Sequence, residues 1–405
     1  MTHRALIVAL CTVPHLVLAA GPQTEDELPD FAVAGPAGFG VVSADGKSML
    51  AVHWLLQSDF RVFLGDSPAP DRDTFLLRFA GLRLDAIIER TFHAQLFANV
   101  AENRVTLLEG WIEAKLAPWA RLRVGKFQFP ITEERLTPGT ALPFVSTSVA
   151  SMLLPARDTG VQLLGSVGGG VFFYNLALVN GTFAGGAGES DGDSAKDVVA
   201  RAFFHPFLGS GIEPLEQLGL GVGASVGKHT GTPDNPRLLT LTTYGGQVFF
   251  AYARPAAADG TIVRIAPHLT WGYGPVALYA DAAWTRERVS GTDVDAHALS
   301  AVATIVLTGE AAAPLSFVVP AHDYGAVVVV LGAGEVAVGL EAFPALADPN
   351  VAMHSMRVYG GGVNWYPARG VAVIASYGHQ VFTAAPGGAA RADEDTVIVR
   401  LQLVI

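Results

Sequence analysis

Arg121-Leu122-Arg123-Val124-Gly125-Lys126-Phe127-Gln128-Phe129-Pro130-Ile131-Thr132-Glu133-Glu134-Arg135-Leu136-Thr137-Pro138-Gly139-Thr140 changes character partway along. Its first four residues alternate arginine with aliphatic side chains, the period of a strand whose two faces meet different surroundings. Pro130, the Glu133-Glu134-Arg135 cluster and Pro138-Gly139 then break the pattern, and no regular structure is expected until about Gly160. A soluble fold rarely tolerates so long a loop, part charged and part apolar.

Composition narrows the class. Half of the 405 residues are apolar, only 16% are charged, and the mean hydropathy of +0.37 is high for a soluble protein. Lysine occurs only at Lys47, Lys115, Lys126, Lys196 and Lys228, and the formal net charge is −11. Phosphate backbones are bound by concentrated Lys and Arg, so nucleic acid is excluded as the main partner.

The first twenty residues read as a secretory signal peptide. Arg4 precedes a short apolar core that ends in small residues before Gly21, with cleavage expected after Ala20 or Ala19. Pro14 and His15 disfavour an uncleaved anchor, and Leu10 before Cys11 disfavours a lipoprotein signal. Cleavage would remove Arg4 and no acid, taking the net charge from −11 to −12. It would also remove the only cysteine, leaving a mature chain without disulfides. Residues 21–47, acidic and containing Gly and Pro, read as a flexible periplasmic leader.

One other stretch could suggest a membrane helix, Gly325 to Phe343. It carries Glu335 near its middle and four glycines among many valines, which reads better as strand. The rest of residues 48–405 reads as strands of roughly ten residues with alternating character. Phe92, Ala94, Leu96, Ala98 and Val100 alternate with Thr91, His93, Gln95, Phe97 and Asn99; Arg400 and Gln402 alternate with Val399, Leu401 and Leu403. Connections mostly alternate between tight turns, such as Gly168-Gly169-Gly170 and Tyr273-Gly274-Pro275, and long polar loops, such as 180–196 and 229–260. That is the organisation of an all-β transmembrane antiparallel barrel, with short periplasmic turns and long outer loops. Sixteen strands are expected, starting near Ser48, Phe75, Thr91, Val105, Ala120, Gly160, Val171, Val198, Leu218, Val263, Val276, Ala296, Gly325, Met356, Val371 and Thr396. The pattern is weakest in the first strand and across residues 198–227. The even number lets the barrel close with both termini in the periplasm. The polar faces put Arg83, Asp85, His93, Glu109 and Glu113 on the lumen side, together with Arg121 and Arg123.

Trp119 to Pro130, then Glu134-Arg135-Leu136, Leu142-Pro143-Phe144 and Pro155-Ala156-Arg157-Asp158-Thr159-Gly160-Val161-Gln162-Leu163, closely resemble the phosphate-selective porin O and P family. Tyr273-Gly274-Pro275, Leu307-Thr308-Gly309-Glu310, Val363-Asn364-Trp365-Tyr366 and the Asp393-Glu394-Asp395 run follow in the same order, so the resemblance covers about residues 75–405. It implies a sixteen-stranded homotrimeric porin in the bacterial outer membrane, in contact with its lipid and passing small hydrophilic solutes or inorganic anions. It also implies that the loop after the fifth strand, about residues 128–158, folds inward as a constriction. Phe129, Ile131, Leu142, Phe144, Met152 and Leu153 would then pack against the wall, and Glu133, Glu134, Arg135, Arg157 and Asp158 would line or tie the narrow part. Three departures stand out: Ile131-Thr132-Glu133-Glu134 after Pro130, where relatives often have Phe-Gly-Leu-Glu; Val328 and Gly332, where they often have Glu and Arg; and a final Ile405 instead of an aromatic residue. The expectation is a general diffusion pore with weak ion selectivity and no tight phosphate site.

An enzyme is not expected, because the eleven histidines pair with no serine in a hydrolase pattern. No His or acidic cluster has metal-ligand spacing, so no cofactor is expected. An anion- or phosphate-selective channel, a non-conducting structural barrel and a soluble secreted β-protein are the alternatives. The first would be half-blocked by micromolar phosphate, the second would show no conductance, and the third would extract without detergent.

Overall fold

The structure, a computed structural model, describes residues 32–35, 38–65, 73–101, 104–186 and 193–405; the expected signal peptide lies outside them. In chain order the strands are β1 (Ala32–Gly35), β2 (Gly38–Val42), β3 (Met49–Leu64), β4 (Thr74–Ile88), β5 (Phe92–Asn99), β6 (Thr106–Ala117) and β7 (Ala120–Gln128). There follow β8 (Arg157–Val167), β9 (Phe172–Val179), β10 (Asp197–Phe204), β11 (Gly219–Thr230), β12 (Thr240–Thr242), β13 (Val248–Ala251) and β14 (Ala258–Tyr273). The last six are β15 (Val276–Val289), β16 (Thr292–Val306), β17 (Ala326–Val338), β18 (Met353–Ala368), β19 (Val371–Ala384) and β20 (Glu394–Val404).

β3 to β11 and β14 to β20 pair antiparallel with their neighbours, and β20 returns to β3, closing a sixteen-stranded barrel. Every expected strand start falls within five residues of an observed one; the largest offset, Val263 against Ala258, lies where β14 bulges between Ala258 and Ile262. Within Gly325–Phe343, Ala326–Val338 is strand and Leu340–Ala342 a short 3-10 turn, and Glu335 pairs across the ladder with Arg357, 3.2 Å away. Two expectations are corrected. Within the supposed flexible leader, β1 and β2 form a hairpin, and β2 pairs with β3 from Phe39↔Val52 to Val42↔Met49. That ladder continues on the same edge of β3 just past the C-terminus, where Ile405 and Trp54 exchange two backbone hydrogen bonds. The turn and loop rule also has an exception. β15 and β16 join through Ser290-Gly291 at the outer end, whereas residues 205–218 and 307–325 make long connections at the periplasmic end.

Alternation decides what faces lipid. Along β11, Leu220, Val222, Val226 and Lys228 are exposed, while Gly223, Ser225 and His229 alternate with them and are buried. Exposed Trp119, Tyr273, Tyr324 and Trp365 gather at the periplasmic ends of their strands, as in the aromatic girdles of outer-membrane barrels. Trp365 Nε1 donates to the Tyr324 carbonyl at 2.9 Å, keeping the indole's polar end satisfied.

The interior of the closing seam is polar. Arg400 makes a bidentate pair with Asp59, at 2.7 and 2.8 Å, and Gln57 donates to Gln402 at 2.7 Å. Both charges are nearly fully buried. Removing one partner of such a pair strands the other in a poor solvent, so Arg400→Ala should destabilise the folded barrel by about 3–5 kcal/mol. The urea midpoint of the unfolding transition in detergent checks this, and an unchanged midpoint refutes it.

Candidate functional site: an internal loop facing a polar wall

Residues 129–156, between β7 and β8, fold inside the barrel. Phe129, Ile131, Leu153 and Leu154 are fully buried, Leu142 and Phe144 nearly so, and Met152 partly. α1 (Glu133–Leu136) opens the segment, its first turn capped by the Thr132 hydroxyl, which accepts from Arg135 N–H. The wall makes room by omitting side chains. A Cβ on Gly223 would lie 2.0 Å from the Ile131 carbonyl oxygen, and one on Gly332 would lie 2.7 Å from the Phe144 ring. Gly332 and Val328 therefore sit under the loop, where a charged pair would have no water.

The loop's charges are its fastenings. Glu134, expected in the constriction, is buried and accepts from Ser148 N–H at 2.9 Å, Ser148 Oγ at 2.8 Å and Ser151 Oγ at 2.5 Å. The same Ser148 hydroxyl lies 2.8 Å from Asp281 Oδ2 on β15. Glu133 pairs with buried Arg201 on β10. Arg135 donates to the carbonyls of Ser151 and Leu154, the latter at 2.9 Å. Burial lowers the Arg135 pKa, opposed by the nearby Glu134 carboxylate. Asp158, also expected in the constriction, is fully buried and accepts from Gly181 and Thr182 N–H at 3.0 and 2.8 Å, fixing the next loop. The roles of Glu134 and Asp158 depend on partners distant in sequence, so local pattern could not show them.

A second internal segment was not legible. Residues 231–257, expected as a polar outer loop, carry the β12–β13 hairpin inward with Leu241, Phe249 and Phe250 buried. Arg61 on β3 donates to the Gly245 carbonyl, and Tyr244 N–H donates to Gln380 on β19 at 2.8 Å. This segment thus reaches from between the ninth and tenth barrel strands to the first and fifteenth. Burial pushes the Tyr244 phenol far above its ordinary pKa, so it stays neutral. From the periplasmic end, Ala312 of residues 307–325 is buried and Phe317 packs edge-on against Tyr366. These segments cover the inner face of β16 to β18, which is why that face is lined by Val328, Val330, Val336 and Val338.

The inner face of β3 to β8 is different. Arg121 and Arg123 both contact Glu113, at 3.3 and 2.7 Å; Arg157 contacts Glu109 at 3.2 Å; Arg83 contacts Asp85 at 2.8 Å. The acids lie beneath the cations. Side-chain exposure is 35% for Arg121 and 34% for Arg83, but 5% for Glu113 and 4% for Asp85. Trp111 carries Arg123 on its face at 4.0 Å and meets the edge of His93 at 4.8 Å. His53 was missed, although it alternates with Val52 and Trp54 in the same way as the residues that were found. Lys126 lies on the opposite face and donates to the Leu107 carbonyl at 2.7 Å. Among the described residues, no three His, Cys, Asp or Glu side chains are placed to hold a metal.

A closed sixteen-stranded barrel with loops folded into its lumen defines an outer-membrane porin. The sequence matches the family described as phosphate-selective porin O and P over residues 51–405, and the chain belongs to that family. No curated protein sequence matches it. Among solved structures it is similar to OmpF of Salmonella typhi in complex with daunomycin (10% identity, 90% of this chain and 99% of that one, TM-score 0.58). The outer membrane channel DcaP of Acinetobacter baumannii is similar too (10% identity, 90% and 99%, 0.57). So is an anion-selective porin from Comamonas acidovorans (10% identity, 88% and 100%, 0.57). At these identities the structural likeness carries the fold alone. The protein is an outer-membrane channel, and family and fold indicate a channel rather than an enzyme.

If the Glu134 cluster fastens the loop, Glu134→Leu should give a larger and noisier unitary conductance in planar bilayers. Glu134→Gln, which still bonds to the serines, should stay near the parent value. Removing residues 131–152 should enlarge the conductance further; a barrel that folds without them and conducts as before would place the narrowing elsewhere.

Proposed function

We propose that the protein is a passive diffusion pore for small hydrophilic solutes and ions with a modest preference for anions, and that the solute path runs between the internal loop and the inner wall of β3 to β8. The observation that carries this reading is the layering of charge on that wall. By count the signs nearly cancel, with Arg83, Arg121, Arg123 and Arg157 against Asp85, Glu109 and Glu113. By exposure they do not, because each acid lies under its arginine. A passing ion is closer to guanidinium than to carboxylate, and in a narrow site of low dielectric that difference in distance sets the sign of the local potential. Glu133 and Glu134, which the sequence alone placed in the narrowest part, are engaged by Arg201 and by Ser148 and Ser151.

A tight phosphate site is not part of this reading. Strong recognition of a small anion needs several donors converging without a competing acceptor. Here Arg121 and Arg123 already spend donors on Glu113. Assembly as a homotrimer surrounded by outer-membrane lipid, and export by residues 1–20, belong to the same proposal and rest on the family.

Reversal potentials in a potassium chloride gradient test it. Chloride should be the more permeant ion, and Arg121→Ala with Arg123→Ala should lower the chloride to potassium permeability ratio. Phosphate at micromolar concentration should leave chloride conductance unchanged; half-block in that range would establish a tight site and overturn this part of the reading.

A further inference from the structure

Near the periplasmic ends of β3, β4 and β5, one carboxylate sits between two imidazoles. His53 Nε2 is 3.1 Å from Asp85 Oδ2, and His93 Nε2 is 3.1 Å from Asp85 Oδ1. Arg83 Nε is 2.8 Å from Asp85 Oδ2. Asp85 is buried, while both imidazoles and Arg83 keep some exposure. An ionised carboxylate only accepts hydrogen bonds, so neutral His93, bonded to Asp85 Oδ1, carries its hydrogen on Nε2 and would gain a proton on Nδ1. His53 lies at ion-pair distance from Oδ2. Histidine is the side chain whose ordinary range lies between about pH 5 and 8.

The surroundings decide whether that proton changes the passage. β4 contributes Arg83 and Asp85. β5 contributes His93, whose ring meets Trp111 of β6, and Arg123 of β7 lies on the Trp111 face. β6 and β7 add Glu113 with Arg121 and Arg123. β2 approaches His53 through Gly38, where a Cβ would lie 2.6 Å from Nδ1, so it adds no titratable group there. With both imidazoles neutral, Arg83, Arg121 and Arg123 exceed Asp85 and Glu113 by a single positive charge. With both protonated the excess is three.

We infer that His53 and His93 are specificity-determining residues that make the channel's preference for anions depend on pH, strengthening it as the periplasmic side becomes mildly acidic. The inference rests on the reading that solutes pass along this wall. Asp85 makes the arrangement workable. It lies 3.1 Å from both rings, so each protonated imidazole keeps a carboxylate partner despite Arg83 beside it. The change in charge occurs on side chains already fixed on strands, and no loop has to move.

The test is the chloride to potassium permeability ratio, from reversal potentials in a potassium chloride gradient at pH 8 and pH 5. The parent ratio should rise by roughly two- to threefold on acidification. His53→Gln with His93→Gln should abolish most of that rise, and His93→Gln alone should remove part of it. Glutamine can still donate to Asp85, so the wall stays fastened, and carboxyls elsewhere that titrate near pH 5 are common to all variants. A parent ratio that does not change with pH, or a full rise retained in the double variant, overturns the inference. The Arg121→Ala, Arg123→Ala variant separates the two levels. If it lowers the ratio while the histidine variants behave as the parent, the path stands and the histidine assignment falls. If it leaves the ratio unchanged, the path itself is wrong.

Discussion

In hydrocarbon, a backbone amide or carbonyl without a partner has no water to turn to, and each one costs several kcal/mol. That constraint makes the pairing of β20 with β3 the condition for the rest of this structure. Ten register pairs, from Asp395↔Leu64 to Val404↔Leu55, join strands more than three hundred residues apart. The inward side of the seam adds Asp59 with Arg400 and Gln57 with Gln402. β2 then covers the stretch of β3 that the last strand is too short to reach, so the edge of β3 is covered along most of its length.

Closure creates a second problem, because sixteen strands enclose more space than wall side chains can fill. The chain solves it unevenly. Residues 129–156, 231–257 and 307–325 enter from both ends and fill the side bounded by β10, β11 and β14 to β19, with an apolar core of the kind found in soluble proteins. Irregular backbone is tolerated there because it is buried in protein and its polar groups are met: Glu134 by two serines, Ala150 N–H by Ser300, and Arg135 by two carbonyls. Glycines on the inner wall bring loop backbone nearly into contact with strand backbone at Gly223.

What was legible in the sequence was whatever has a local period. Strand positions follow from alternation, which a one-residue slip would reverse, so the pattern is strongly specified. The inward arginines and acids of β4 to β7 follow from the same rule. The β1–β2 hairpin was missed because Ala32 to Val42 is short, rich in small residues and has no polar face. The inward course of residues 231–257 was missed because its fastenings, such as Tyr244 to Gln380, are 136 residues apart. Glu134 and Asp158 carry the right charge for a pore lining, but only the fold shows that each is occupied by hydroxyls or amides. Burial also set the balance of sign on the wall, since composition counts Glu113 and Arg121 equally whereas the surface presents mainly the second.

The proposed solute path has unlike boundaries. One holds guanidinium groups over buried acids; on the loop, Pro138 and Gly139 are exposed, and Gln402 donates to the Thr140 carbonyl at 3.1 Å. A passage charged on one side and nearly neutral on the other has a transverse electric field. A dipolar molecule entering it would turn its electronegative end toward the arginines and travel with a fixed side to the wall. Such a passage would discriminate by the shape of a molecule's charge distribution as well as by its net charge, so two neutral solutes of equal size could cross at different rates.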